Sequence, residues 1–211
     1  MVLFRFLALL LVASSAGAAP VKYALDPERT RLTASTRPGG IGGFTHKHVI
    51  VAKKVRGEVT YDAEAPSASK VVVTVPASAL VPDEDAVRKR AGLEPLSAND
   101  QARIAETMRG PGQLEVEQHP ALHFESTAVK SLGPGKLQVT GRLSLHGVTR
   151  EVTLPVTLTV RDGVLESEGR LTIRHSDFGI TPYSAVLGAL KNLDPIDLEL
   201  KLVGRKLKAE S

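Results

Sequence analysis

The chain has 211 residues, of which 42% are apolar and 24% charged, so it can bury a core and is neither disordered nor collagen-like. Its 27 Lys and Arg against 23 Asp and Glu give a net charge of only +4, spread along the chain. We therefore expect no nucleic-acid partner. The absence of Cys excludes disulfides, a thiolate nucleophile and a lipidated cysteine anchor.

The first residues have the pattern of an export signal. A single charge, Arg5, precedes a short apolar run and the small residues Ala16-Gly17-Ala18-Ala19. The apolar run is less than half of the roughly 20 residues needed to span a bilayer, so we expect no stable membrane anchor. We predict a signal peptide over residues 1–18 and an exported chain, periplasmic or secreted, that forms a single domain over 19–211.

Alternating apolar and polar residues predict a set of antiparallel β-strands. The period of two is clearest at 137–145, 152–160 and 165–174, where short turn signals between the segments indicate consecutive hairpins. Pro155 predicts an edge or a bulge in the second of these strands. Further strands bring the total to about eight: Thr30–Arg37, Val55–Tyr61, Val71–Pro76, Leu122–Val129 and Ile196–Val203.

One stretch, at about 83–108, departs from the strand pattern. It is charged and Ala-rich, and Ser97-Ala-Asn-Asp100 has the form of a capping box at the start of a helix. Gly110-Pro111-Gly112 ends the stretch before the strands resume. We predict one or two helices here, as an insertion in a single β domain.

Eight strands with one apolar face each fit either a two-layer sandwich or a closed barrel, and periodicity does not choose between them. The inward-facing residues are mostly Val, Leu, Ala and Gly, which would under-fill a wide barrel. This composition favours a barrel cavity with room for one elongated ligand. We expect the helical insertion to cover an opening of that barrel.

Four segments carry a resemblance to a known family: Gly57-x-Val59-x-Tyr61-Asp62, His119-Pro120-x-x-x-Phe124-x-Ser126-Thr127, the hairpin from Gly141 to Val152, and Asp177-Phe178-Gly179. In this order, and after an export signal, they resemble the motifs of the YceI-like family of polyisoprenoid-binding exported proteins. The resemblance implies an all-β fold, an eight-stranded antiparallel lipocalin-like barrel. It also implies a lipid-binding function, with an isoprenoid-type ligand, a polyisoprenoid or a quinone, held in the cavity.

The histidines are the densest chemical signal in the sequence. On a strand, His46 and His48 share a face with Phe44 and Ile50, and His175 lies on an apolar face of another strand. If these faces point inward, the three imidazoles lie beside the cavity and contact the polar head group of a ligand. The predicted ligand-binding residues are Phe44, His46, His48, Ile50, Leu143, Leu171, Ile173, His175 and Phe178.

The sequence carries no motif for catalysis or for a cofactor: it has no Gly-x-Ser-x-Gly, His-Glu-x-x-His, P-loop or Rossmann pattern. We therefore expect a binding protein that is not an enzyme, with no catalytic residues, no metal and no cofactor besides a bound isoprenoid lipid or quinone. Two alternatives stay open. One is an exported metal-dependent enzyme that uses the histidine cluster, and the other is a stress or interaction module with a filled barrel.

The remaining histidines and basic residues are expected at the surface. His119, His123 and His146 have the setting of exposed or turn residues. Arg88-Lys89-Arg90 is interpreted as a solvated face, with transient contact to anionic lipid head groups at a membrane surface as a second interpretation.

Overall fold

The computed structural model describes residues 19–40 and 47–208; the predicted signal peptide, Phe44 and His46 lie outside these residues. The strands are β1 (Val21–Leu25), β2 (Arg31–Gly40), β3 (Val49–Ala52), β4 (Arg56–Tyr61), β5 (Lys70–Pro76), β6 (Leu80–Pro82), β7 (Ala121–Gly133), β8 (Lys136–Leu145), β9 (Val148–Arg161), β10 (Val164–Arg174), β11 (Ser184–Ala185) and β12 (Leu190–Lys206). The helices are α1 (Asp85–Arg90) and α2 (Ala98–Arg109).

Eight of the strands close into an antiparallel barrel. Their order round the ring is β1, β4, β5, β7, β8, β9, β10 and β12, and β12 pairs back with β1, with Tyr23 opposite Lys206. Over residues 190–201, β12 pairs instead with β2, which continues into β3 and β6. The ring confirms the predicted barrel and decides against the sandwich that periodicity alone left open.

The alternation in the three hairpin strands orients their side chains as predicted. Thr153, Pro155 and Thr157 on β9 are exposed, whereas Leu154 and Val156, which alternate with them, are buried. The eight positions with inward parity all line the interior: Val139, Leu143, Leu145, Leu154, Val156, Leu158, Leu171 and Ile173. The strands missing from the predicted eight, β1, β3, β6 and β11, have only 5, 4, 3 and 2 residues, too few for a period of two to stand out.

Pro155 lies where one strand pairing ends. β9 pairs with β10 from Arg161 to Val156, whereas its pairing with β8 continues to Val148. Pro155 is thus the first residue of β9 beyond the β10 pairing, and the edge predicted from it is observed on that side. A cleft opens between the two strands from this point, with Phe178 among the residues that line it.

The predicted insertion forms both helices. α2 begins after Ser97, whose hydroxyl oxygen accepts a hydrogen bond from the Asp100 amide at 3.1 Å, as the capping-box pattern predicts. The helix lies across one end of the barrel, where Ile104 and Met108 contact the interior. In the described ranges 19–40 and 47–208, none of the helices is both long and apolar enough to cross a bilayer.

Candidate functional site

The barrel encloses a cavity of about 850 Å³. This is large for a small-molecule site, since such sites span roughly 300–1,000 Å³. Its wall consists mainly of Val, Leu and Ile side chains from the strands of the ring. The small inward-facing side chains therefore leave a cavity, as expected from the composition. The barrel is not filled by its own side chains.

The two ends of the cavity differ in polarity. Leu165 and His175, near opposite ends of β10, mark the two extremes, about 33 Å apart at 3.3 Å per strand residue. At the Leu165 end the wall is mainly apolar, with Tyr61, Ser69 and Ser167 as its polar residues. The end beneath α2, the mouth, is lined by many polar residues: Thr36, His48, Asp100, Arg103, Gln113, His175, Lys191 and Asn192.

Most of the predicted ligand-binding residues face this cavity. Those that line it are His48, Ile50, Leu143, Leu171, Ile173 and His175. Phe178 has a different place: it is 1% exposed and packs with Leu145, Ile173 and Ile180. The chain leaves β10 after Arg174 and enters a short 3-10 turn, so strand parity no longer applies, and Phe178 is a core residue rather than part of the cavity wall.

His48 is oriented by a buried ion-pair network. Its Nδ1 lies 2.6 Å from Oδ2 of Asp83, and Oδ1 of Asp83 accepts hydrogen bonds from Arg88 at 2.8 Å and from the Val49 amide at 3.1 Å. Asp83 is 0% exposed and Arg88 is 3% exposed. Because Nδ1–H of the ring donates its hydrogen bond to the Asp83 carboxylate, Nε2 of a neutral His48 is left as an acceptor.

The same network fastens the helical insertion to the barrel. Burial by itself raises the pKa of Asp83, but the hydrogen bonds and positive charge of His48 and Arg88 outweigh burial and hold that pKa below its usual value. Arg88 also donates to the carbonyls of Glu94 and Lys47, at 2.6 and 3.3 Å. The interpretation of Arg88 as part of a solvated face is therefore wrong, because its neighbours in the fold supply a carboxylate and two carbonyls.

His175 lies in a turn that hydrogen bonds to Asp194 stabilise. Its Nδ1 and its backbone amide both donate to the carbonyl of Asp194, at 2.8 and 3.0 Å. The Asp194 carboxylate accepts from the hydroxyl and the amide of Ser176, and these hydrogen bonds lower its pKa. The ring nitrogen of His175 that is left for a ligand is again Nε2.

His48 and His175, which line the cavity together with His123, approach it from different parts of the sheet. The Thr36 amide donates to the His48 carbonyl, Thr36 lies opposite Ile196, and Ile196 lies opposite Ile173. Three strand spacings, about 14 Å along the sheet, therefore separate His48 from Ile173, and His175 lies two residues beyond Ile173. The two imidazoles therefore reach the cavity from separate parts of the sheet.

Comparison with known proteins gives a consistent result. Residues 23–203 match the YceI-like domain. A UPF0312 protein of Pseudomonas putida strain W619 is 30% identical over 220 residues, which cover 97% of each chain. Protein YceI of Salmonella agona strain SL483 is 29% identical over 209 residues, 95% of this chain and 92% of that protein.

Solved structures share the barrel. The crystal structure of BcnA from Burkholderia cenocepacia superposes with a TM-score of 0.66 at 18% identity, covering 85% of this chain and 98% of BcnA. The YceI protein of Campylobacter jejuni superposes with a TM-score of 0.54 at 15% identity, covering 75% of this chain and 84% of that one. At these identities the likeness concerns the fold.

Proposed function

The chain belongs to the YceI-like family, and on this premise we propose that it binds an isoprenoid-type lipid, a polyisoprenoid or a quinone, inside its barrel. The observation that carries the proposal is the cavity of about 850 Å³, with its apolar wall and its polar mouth. A long hydrocarbon chain with one polar end has a matching arrangement, with an apolar body for the wall and a polar group for the mouth. Burial of that chain stabilises the complex by about 25 cal/mol per Å² of apolar surface removed from water.

In the proposed complex the hydrocarbon lies toward Leu165 and the head group lies beneath α2. Nε2 of His48 and of His175 are the ring nitrogens left to contact the head group, since each Nδ1 is engaged by protein. A neutral ring accepts a hydrogen bond from the hydroxyl of an isoprenoid alcohol, and a protonated ring donates to a phosphate or a quinone oxygen. The two histidines would thus orient a ligand whose body has no polar groups.

The proposal is of a carrier and not of an enzyme. The pair His48 and Asp83 has two members of a hydrolytic triad, but a nucleophile is also required. Across residues 19–40 and 47–208, the ring of His48 has Asp83 as its one hydrogen-bond partner, and no serine or threonine hydroxyl is hydrogen-bonded to it. Orientation of a ligand at the mouth of an apolar cavity requires only that Asp83 hold the His48 imidazole in place, and it requires no nucleophile.

The proposal also includes export of the chain and entry of the lipid into the cavity from a membrane. The export signal of residues 1–18 supports a periplasmic or secreted location. The hairpin that leads into β12 borders the mouth and exposes Val186 and Leu187, with Lys191 nearby among the lining residues. Two exposed apolar side chains beside a lysine suit transient contact with an anionic membrane surface, from which a lipid would enter the cavity.

The experiment that tests lipid binding uses two variants of adjacent residues on β10. Ser167 is 7% exposed and lines the apolar end of the cavity, whereas Glu168 is exposed on the outer face. Ser167→Phe places a ring in the space that the hydrocarbon needs, and Glu168→Phe places the same ring outside. Native mass spectrometry after mild purification should show a lipid adduct on the parent protein and on Glu168→Phe, and little or none on Ser167→Phe.

Circular dichroism would verify that both variants keep the barrel. The same preparations would be titrated with a fluorescent polyisoprenoid. A parent protein that carries no lipid and does not bind the polyisoprenoid would overturn the proposal. Equal binding by Ser167→Phe would show that the ligand lies elsewhere.

A further inference from the structure

Glu115, His119 and His146 converge outside the cavity wall, at the end of the barrel that α2 covers. Their side-chain ligand atoms all lie within 4.8 Å of one another, and each residue is half-buried. Two of the three come from the segment after α2, and the third comes from the turn between β8 and β9. Two imidazole nitrogens and one carboxylate oxygen form a donor set that first-row divalent cations such as Zn²⁺ prefer.

A tight turn fixes the first two residues. The amide of His119 donates to the carbonyl of Glu115 at 2.9 Å, which gives the two side chains the four-residue spacing of one helical turn. Oε1 of Glu115 accepts from the Gly112 amide at 2.9 Å, which leaves Oε2 on the side of His146. Glu115 itself has a φ of 45°, a left-handed conformation that is uncommon for a residue with a side chain.

His146 is already held in the tautomer that a metal requires. Its Nδ1 lies 3.0 Å from the carbonyl oxygen of Phe178, and since a carbonyl only accepts, Nδ1 carries the proton. Nε2 then has a free lone pair. Metal-binding histidines commonly make this hydrogen bond from the other ring nitrogen to a backbone carbonyl.

Nε2 of His146 is a buried atom with no hydrogen-bond partner among residues 19–40 and 47–208, which is costly unless something occupies that side of the ring. It points toward the other two residues: Oε2 of Glu115 is 3.8 Å away, and the ring centroid of His119 is 4.6 Å from that of His146. Gly147 makes this approach feasible, because a Cβ there would lie 2.7 Å from Cε1 of His119.

We propose that Glu115, His119 and His146 bind one Zn²⁺ ion or a similar first-row divalent cation, with the fourth position left for water. Zinc bonds of about 2.0–2.1 Å would draw the three ligand atoms together by about an ångström. That movement is within reach of the side chains of Glu115 and His119, while His146 stays fixed by its bond to Phe178. The inference goes beyond lipid binding and does not depend on it.

The proposed ion would link the cover of the cavity to the barrel. Gln113 and Leu114, in the same turn as Glu115, line the cavity mouth, and the Leu114 amide donates to the Met108 carbonyl at the end of α2. A metal bonded to both this segment and the β8–β9 turn would hold the segment against the barrel. Zinc is therefore expected to stabilise the fold and to slow amide exchange in residues 110–119.

The test compares three histidine variants of the full chain after removal of metal with EDTA. His119→Gln and His146→Gln each remove one ligand, and His123→Gln is the matched control, because His123 is a half-buried histidine on β7 that contacts Thr74 and not the cluster. Isothermal titration with ZnCl₂ and metal analysis after dialysis give affinity and stoichiometry. Thermal unfolding with and without Zn²⁺ gives the effect on stability.

We expect the parent and His123→Gln to bind one Zn²⁺ per chain at this site and to unfold at a higher temperature with Zn²⁺. His119→Gln and His146→Gln should each bind Zn²⁺ at least tenfold more weakly and lose the rise in unfolding temperature. Mg²⁺ should have no effect, since it prefers all-oxygen ligand sets. Absence of stoichiometric zinc on the parent, or the same zinc affinity and temperature shift in all three variants, would overturn the proposal.

Discussion

At the scale of single residues, Asp83 is the group that orients His48 at the cavity mouth. It is fully buried, and it joins His48 at the start of β3 to Arg88 on α1. Its φ of 55° lies in the left-handed region, which Asp tolerates better than most residues with a side chain. Removal of one partner from a buried ion pair leaves the other charge without compensation, at a cost of about 3–5 kcal/mol.

We therefore predict that Asp83→Asn, which keeps the shape and the backbone tolerance, lowers the free energy of unfolding by about 3 kcal/mol or more near pH 6. Because the pKa of Asp83 is lower in the folded than in the unfolded state, its ionised form stabilises the fold above the unfolded value of about 4, and this stabilisation is lost as the pH falls further. Denaturant unfolding at pH 6 and pH 3.5 should show the difference between parent and variant shrinking at the lower pH.

The control for this measurement is Asp85→Asn, two residues away on the exposed start of α1, where the carboxylate accepts one hydrogen bond from Gln101. It should change stability by less than about 1 kcal/mol. Similar losses in both variants would contradict the role given to Asp83.

Sequence patterns indicated one partner of this network and not the others. His48 could be placed at the cavity because strand parity is a local property of neighbouring residues. Asp83 is 35 residues from His48 and falls in a charged stretch, so nothing near it in the sequence indicates burial. The cluster of Glu115, His119 and His146 was missed for the same reason, since two turns far apart in the chain bring it together.

At the scale of elements, parity orients the side chains within a strand and gives no information on the turns between strands. β8, β9 and β10 have the predicted inward faces along most of their length, with Val160 near the end of β9 exposed, because each is long enough for its alternation to be recognised. Phe178 follows β10 by only four residues, and the 3-10 turn in between moves its ring into the core. The sequence thus predicts the barrel wall well and the segments at its ends poorly.

The assignment of the inner and outer faces of β9 can be tested by substituting aspartate at one position on each face. Leu154 is 4% exposed and lines the cavity, whereas Thr153 is exposed on the outer face. Leu154→Asp removes a core side chain and places a carboxylate in an apolar wall, so we expect a loss of roughly 3 kcal/mol or more. Thr153→Asp should cost less than about 1 kcal/mol. Comparable losses in urea unfolding would show that the faces of β9 are assigned the wrong way round.

At the scale of the whole molecule, the features relevant to lipid exchange lie at one end of the barrel. The polar mouth, α2 across it and the exposed hairpin with Val186 and Leu187 all occur there. The opposite end contains core residues such as Leu165, which is 0% exposed, and Leu137, which is 6% exposed. A ligand therefore enters and leaves by the mouth in the proposed function, and the end that faces a membrane is the end with the exposed apolar pair.

Because the two ends of the barrel differ in this way, we predict that substitutions at the mouth slow lipid uptake and that substitutions at the opposite end do not. Val186→Asp with Leu187→Asp removes two exposed apolar side chains at the mouth and adds two negative charges, so transfer of a fluorescent polyisoprenoid from anionic vesicles should slow at least about tenfold, the equivalent of roughly 1.4 kcal/mol. Affinity for the same lipid added in detergent should change less than the rate of transfer, since Leu187 lies outside the cavity and Val186 lines it only at the mouth. Leu132→Asp is the matched control: Leu132 is 51% exposed, but it lies in the β7–β8 hairpin at the opposite end. Equal slowing by Leu132→Asp would mean that transfer does not depend on which end of the barrel meets the membrane.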